Sequence, residues 1–235
     1  MNYKDLTNYH LLELAYIAPN LHTIDGESLP LYTTSTTGIC WFTERCPRIE
    51  KWLFTLNEPE VSYKVVSNAY PALRGVKIGF LNGGDGSQLE IDRSVVASFV
   101  NRCQQLEHLE IVRSNIEDAD FEHICTLHRL KYLEIMDCDS LTPNSLQFLL
   151  RCNHLQTLVI INCAAPSDYS TEDDITIFNE SIFALLTKLK KLRYVEFDIY
   201  QYEEWDLLEL MGDIVVPTTW RGVNINRGHH EFFKP

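Results

Sequence analysis

The sequence predicts an α/β solenoid, in which short parallel strands alternate with helices, one of each per repeat. Three observations carry this. An opening of the form L-x-x-L-x-L recurs at Leu106, Leu109 and Ile111, at Leu130, Leu133 and Ile135, and at Leu155, Leu158 and Ile160. The recurrence is regular, with 24 residues from Leu106 to Leu130 and 25 from Leu130 to Leu155. Each unit also joins two periods. The L-x-L core has the period of 2 that a strand requires. The stretch after it has helical spacing, as in Phe121, Ile124 and Cys125, in Leu146, Leu149 and Leu150, and in Ile182, Leu185 and Leu186. One strand and one helix cannot bury their own apolar faces, whereas stacked neighbours can.

The pattern continues more loosely on both sides. It stands at Ile49, Trp52 and Phe54, at Leu73, Val76 and Ile78, and at Leu192, Val195 and Phe197. Weaker versions are Leu21 with Ile24, and Trp220 with Val223 and Ile225. That makes about eight strand positions, one per repeat. The spacing lies within the ~20–29 residues of a leucine-rich repeat. The expected fold is therefore a right-handed leucine-rich-repeat horseshoe, with strands on the concave face and helices on the convex face. No linker separates the repeats, so residues 1–235 are expected to form a single domain, strongest over 103–163. Two longer intervals predict insertions. The 33 residues from Leu73 to Leu106 contain the glycine-rich stretch Gly79–Ser87, and the 37 from Leu155 to Leu192 contain an acidic segment, 164–181.

Composition narrows the function. The chain has 33 acidic and 20 basic residues, a formal charge of −13, which repels phosphate backbones and argues against nucleic-acid binding. No apolar run approaches the ~18–20 residues that cross a bilayer, and Met1–Asp5 has no signal-peptide core. No membrane association is expected, and the expected location is cytosol or nucleus. Seven cysteines without a secretory signal predict reduced thiols.

Chemical motifs are missing. There is no C-x-x-C, H-E-x-x-H or G-x-S-x-G, and no lysine completes a phosphate loop at Gly79–Ser87. Asp168, Glu172, Asp173 and Asp174 lack the central glycine and distal glutamate of a calcium loop. Neither a metal nor a cofactor is expected, and no constellation supports catalysis. The acidic run Glu203–Asp213 interleaves with Trp205, Leu207, Leu208, Leu210 and Met211, as an amphipathic helix would. The cysteines read as structural. Cys46, Cys103 and Cys152 each stand three residues before a strand opening, where Ala18 and Leu127 stand in other repeats. Cys138 and Cys163 hold the turn after the strand, where a thiol can donate weakly to turn carbonyls.

The strands carry the candidate binding residues. In Leu109-Glu110-Ile111 the apolar pair points inward, so Glu110 projects from the concave sheet. The equivalent column runs through Leu53, Lys77, Glu110, Glu134, Val159, Glu196 and Asn224. His108, Tyr132, Thr157 and Tyr194 flank it on one side, Val112, Met136, Ile161 and Asp198 on the other. Tyrosine, methionine and branched residues framed by carboxylates have the makeup of an interface. The expected ligand is a protein with a basic surface.

The repeat Leu130–Leu150, with Cys138 three residues past the strand and Leu141-Thr142 opening the next helix, resembles the cysteine-containing repeats of F-box/LRR proteins. Cys163, Leu14–Leu21 and Cys46-Pro47-Arg48-Ile49 add to the resemblance. It implies substrate recognition for a ubiquitin ligase, whose other subunits bind through an F-box. No F-box is visible here, and Tyr9 to Ala18 already reads as a repeat helix, so that docking would need a segment outside these residues. The alternative is an adaptor or inhibitor with leucine-rich repeats and no link to ubiquitination. An enzyme is not expected.

Overall fold

The computed structural model describes residues 7–25, 34–56, 59–79, 90–142, 144–163, 172–198 and 222–226. The chain divides into two compact units, residues 1–114 and 115–235. In the first, helices α1 (Asn8–Ile17), α2 (Thr36–Arg45), α3 (Pro59–Ala69) and α4 (Arg93–Arg102) alternate with strands β1 (Thr23–Asp25), β2 (Lys51–Leu53), β3 (Gly75–Gly79) and β4 (His108–Val112). In the second, α5 (Asp118–Ile124), α6 (Ser145–Leu149) and α7 (Glu172–Lys188) alternate with β5 (Tyr132–Met136), β6 (Thr157–Ile161), β7 (Tyr194–Asp198) and β8 (Gly222–Asn226). Within each unit neighbouring strands pair in chain order, and every pair is parallel. This is the α/β repeat architecture that the paired periods predict, and the faint strand positions around Ile24 and Val223 are strands. No helix among the described residues is long and apolar enough to cross a membrane.

The register aligns the apolar columns read from the sequence. Ile24 stands opposite Trp52, Trp52 opposite Val76, and Val76 opposite Leu109. In the second unit the column is Leu133, Leu158, Val195, Val223. A slip of one residue would turn this set to the other face, so burial fixes the pairing. Each parallel step is built alike. Arg74 and Gly75 donate their N–H groups to the Glu50 carbonyl, Glu107 and His108 to that of Arg74, and Arg193 and Tyr194 to that of Gln156. In the first unit the core thickens into aromatic packing, with Phe42, Phe54 and Tyr70 around the buried Trp52. The buried Tyr63 hydroxyl on α3 accepts the Gly79 N–H at 2.9 Å and lies 3.2 Å from the Phe54 carbonyl, tying the helix to the ends of two strands.

The helix ends form a ladder. The Cys46 thiol points at the Ala18 carbonyl at 3.7 Å, the Tyr70 hydroxyl donates to the Cys46 carbonyl at 3.0 Å, and the Cys103 thiol points at the Tyr70 carbonyl at 3.4 Å. Tyr70 thus holds the same place as the small residues there, with its ring in the core. The turn cysteines behave as expected: Cys138 donates to the Met136 carbonyl at 3.4 Å and Cys163 to that of Ile161 at 3.3 Å. The expectation of seven reduced thiols does not hold. Cys125 and Cys152 form a disulfide, with Cα atoms 5.1 Å apart. Their helices stack as consecutive repeats, which brings two helix ends 27 residues apart into bonding reach.

Each full strand at the middle of the chain ends in a left-handed residue. Arg113, Asp137 and Asn162 have φ of 54°, 53° and 50°. Asparagine and aspartate tolerate this region, and Asn162 Nδ2 donates to Asp137 Oδ1 at 3.0 Å. Asn162 is exposed, so its conformation rather than its burial sets the cost of replacing it. Asn162→Val should destabilise the second unit by about 1–2 kcal/mol, and Asn162→Gly by roughly 0.5 or less, in paired denaturant melts. Equal losses would show that the backbone there is not held left-handed.

Residues 172–181 of the second long interval are the opening of α7, which runs for 17 residues. The helix therefore begins at Glu172, inside the acidic segment. Residues 164–171, the remainder of Gly79–Ser87 from position 80 onward, and the acidic run Glu203–Asp213 lie outside the described residues.

Candidate functional site

Parallel strands with one face packed on helices leave the other face as the place for presented side chains. In the first unit that face holds β3 and β4. The alternation that buries Val76, Ile78, Leu109 and Ile111 turns Lys77, His108, Glu110 and Val112 the other way. Lys77 stands directly opposite Glu110 in the register. Its Nζ lies 2.9 Å from Glu110 Oε2, and His108 Nε2 lies 2.5 Å from Oε1. Glu110 is therefore not the open carboxylate expected from the sequence: it is 7% exposed. Burial pushes its carboxyl pKa up, but the hydrogen bonds and charges of His108 and Lys77 outweigh that and hold it below the usual range.

Two glycines make this arrangement possible. A Cβ on Gly79 would come within 2.9 Å of Thr55 Cγ2 and 3.0 Å of Val112 Cβ, and one on Gly75 within 3.2 Å of Lys51 Cγ. The neighbouring side chains close over this face of β3 because its two other positions there, Gly75 and Gly79, carry no side chain. Lys77 is the site residue that sequence reasoning underused. It lies in the column of central positions, but nothing in the irregular 33-residue interval says that it reaches Glu110.

In the second unit the corresponding face holds β5, β6 and β7. The Tyr132 hydroxyl donates to Glu134 Oε2, and the Tyr194 hydroxyl donates to Glu196 Oε2 at 2.7 Å. Both pairs are i, i+2 on one strand face, as His108 and Glu110 are. An aromatic donor two residues before a glutamate is thus a recurring device of β4, β5 and β7, and its trace in the sequence is His-Leu-Glu, Tyr-Leu-Glu and Tyr-Val-Glu. The register places Tyr132, Thr157 and Tyr194 in one row and Glu134, Val159 and Glu196 in the next. Val159 is only 6% exposed, although it points away from the core. The taller residues around it cover it. Tyr132, Glu134, Met136, Ile161, Tyr194 and Glu196 are all half-buried, so this face is a packed surface rather than a row of solvated side chains.

The structure thus gathers the ten candidate residues in two sets. His108, Glu110 and Val112 lie in the first unit; the other seven share one face of the second. The first set is compensated within the chain. The second combines two tyrosine-bound carboxylates with a methionine, a valine and an isoleucine. Among the described residues no group of three or more metal-ligating side chains comes together. No protein-family model matches this chain, and no curated protein matches it either.

Proposed function

We propose that the chain is a protein-recognition module, with each unit a stretch of right-handed leucine-rich-repeat solenoid that binds its partner on the strand face. The observation that carries this is the second unit's face, where Tyr132 and Tyr194 stand in register on either side of β6, each hydrogen-bonded to its own glutamate. A tethered tyrosine offers apolar area with little rotamer freedom left to lose on binding, which is what binding hot spots favour. Met136 and Ile161 add apolar side chains on the same face, beyond the row of Glu134, Val159 and Glu196. The reading is a binding protein and not an enzyme, located in cytosol or nucleus. Its closest functional analogy is the substrate-binding part of an F-box/LRR receptor. That analogy rests on the repeat of 24–25 residues and on Cys138 and Cys163 at the turns. Ligase subunits would engage through a segment other than these repeats.

Partner dissociation tests it. A protein captured by the intact chain should leave Tyr132→Ala about ten-fold faster, the effect of roughly 1.4 kcal/mol at one hot spot. Tyr16→Ala, on the exposed side of α1, should leave the rate unchanged. A rate that responds to Tyr16 and ignores Tyr132 would place the binding surface on the helices.

A further inference from the structure

The four cysteines of the second unit come as two pairs, one at the helix ends and one at the turns after the strands. Cys125 and Cys152 are bonded, 27 residues apart. Cys138 and Cys163 are free thiols in the turns that follow β5 and β6. The strand pairing continues into those turns. Met136 stands opposite Ile161, the Asp137 N–H donates to the Ile161 carbonyl at 3.0 Å, and Asn162 Nδ2 donates to Asp137 Oδ1 at 3.0 Å. Asp137 and Asn162 share the left-handed conformation, so the two turns run alike and bring Cys138 opposite Cys163. One strand spacing is ~4.8 Å, inside the ~4.4–6.8 Å over which two Cα atoms accept a disulfide. The sulfurs meet at the end of β5. Cys138 Sγ lies 3.4 Å from the Met136 carbonyl, Cys163 Sγ lies 3.5 Å from the Ile135 carbonyl, and the two thiols are hydrogen-bonded to each other. The first unit gives the contrast. Cys46 and Cys103 also hold one place in the repeat, but Tyr70 stands between them in the helix-end ladder.

We propose that Cys138 and Cys163 are a redox-active dithiol, oxidised to a second disulfide of this unit by a low-molecular-weight disulfide of the glutathione class. Cys163 is the attacking thiol, because it is half-buried while Cys138 is fully buried. Its thiolate displaces one half of the external disulfide, which leaves a mixed disulfide on Cys163 and releases one small thiol. The Cys138 thiolate then attacks the Cys163 sulfur and expels the second small thiol. Two protein thiols are oxidised, one external disulfide is reduced to two thiols, and the two cysteine protons end on them. Closure takes the sulfurs from hydrogen-bond contact to ~2.0 Å. The hydrogen bond with Cys138, together with burial, pushes the Cys163 pKa well above its ordinary value. Little thiolate is present near neutrality, so the exchange is slow there and faster in mild base. The new bond would fix the ends of β5 and β6 just beyond Met136 and Ile161.

Peptide mapping of the full chain reads this bond directly. The protein is held at about pH 8.5, the ordinary thiol range, with excess glutathione disulfide. It is then blocked with N-ethylmaleimide in denaturant and cut with trypsin without reduction. Trypsin separates residues 132–151, which contain Cys138, from 152–188, which contain Cys152 and Cys163. Before oxidation, 132–151 should be released alone with one maleimide, and 152–188 should be held to 114–129 by the Cys125–Cys152 bond. After oxidation, 132–151 should join them in one three-peptide species. Cys163→Ser should abolish the joining, and Cys138→Ser should leave one glutathione on Cys163. Residues 132–151 still released alone from the oxidised protein would overturn the pair, whether or not Cys163 carries glutathione. So would joining that survives Cys163→Ser, because the bond would then run through another cysteine. The unsubstituted chain alone decides the matter if either variant fails to fold.

Discussion

Leu133→Asp should unfold the second unit, at a cost of roughly 4 kcal/mol or more. Leu133 is fully buried and stands opposite Leu158, which is fully buried as well. An aspartate there has no described basic group in register and no water. It must either hold a charge in a dry core or stay protonated far from its ordinary pKa, and both remove stability on the scale of the whole domain. The adjacent Glu134→Ala gives the contrast. Its side chain is half-buried on the opposite face and is bound by Tyr132, so the loss should be about 1 kcal/mol or less. Denaturant midpoints separate the two. Similar losses at both positions would mean that the strand register is wrong.

The second large effect is expected at Lys77. Lys77→Met should cost about 2–4 kcal/mol, because among the described residues it leaves the 7% exposed Glu110 with His108 alone against its charge. Adding Glu110→Leu should restore most of that loss, since an apolar pair removes the stranded charge. The pH dependence has a definite sign. In the intact chain the Glu110 carboxyl is held below its ordinary value, so its contribution is present above the unfolded pKa of roughly 4.3 and is lost as the pH falls through the lower folded value. Without Lys77, burial, which raises the pKa, has less to oppose it. The variant's deficit should then be largest near neutrality and shrink as acid protonates the carboxyl. A deficit independent of pH would show that Lys77 acts through packing alone.

These two expectations also mark where the sequence was legible. Leu133 could be placed from the chain itself, because L-x-L alternation at 24–25 residue spacing leaves one register that buries every apolar column. The outward positions followed from the same alternation, and the structure puts them where the pattern did. Glu110 could not be read that way. Its burial depends on Lys77, a residue 33 positions earlier, and on two glycines that let neighbouring side chains close over β3. Periodicity tells which face a side chain takes, not what it meets there. The Cys125–Cys152 bond was hidden for a related reason, since the expectation of a reducing compartment argued against it while the stacking of α5 and α6 brings the two sulfurs together. Tyr70 escaped notice as a member of the helix-end ladder because its ring fills core space that a cysteine or alanine leaves to its neighbours.

Site-specific photo-crosslinking compares the two faces of the second unit most directly. A benzophenone side chain at position 161 would sit on the strand face beside Val159, and one at position 183 would sit on the exposed side of α7, where Phe183 is 42% exposed. Both positions belong to the same unit, so loss of folding would affect them together. A discrete protein adduct from position 161, absent from position 183 and lost when Tyr132 and Tyr194 are replaced by alanine, is the predicted result. Adducts from position 183 with none from 161 would contradict recognition by the strand face.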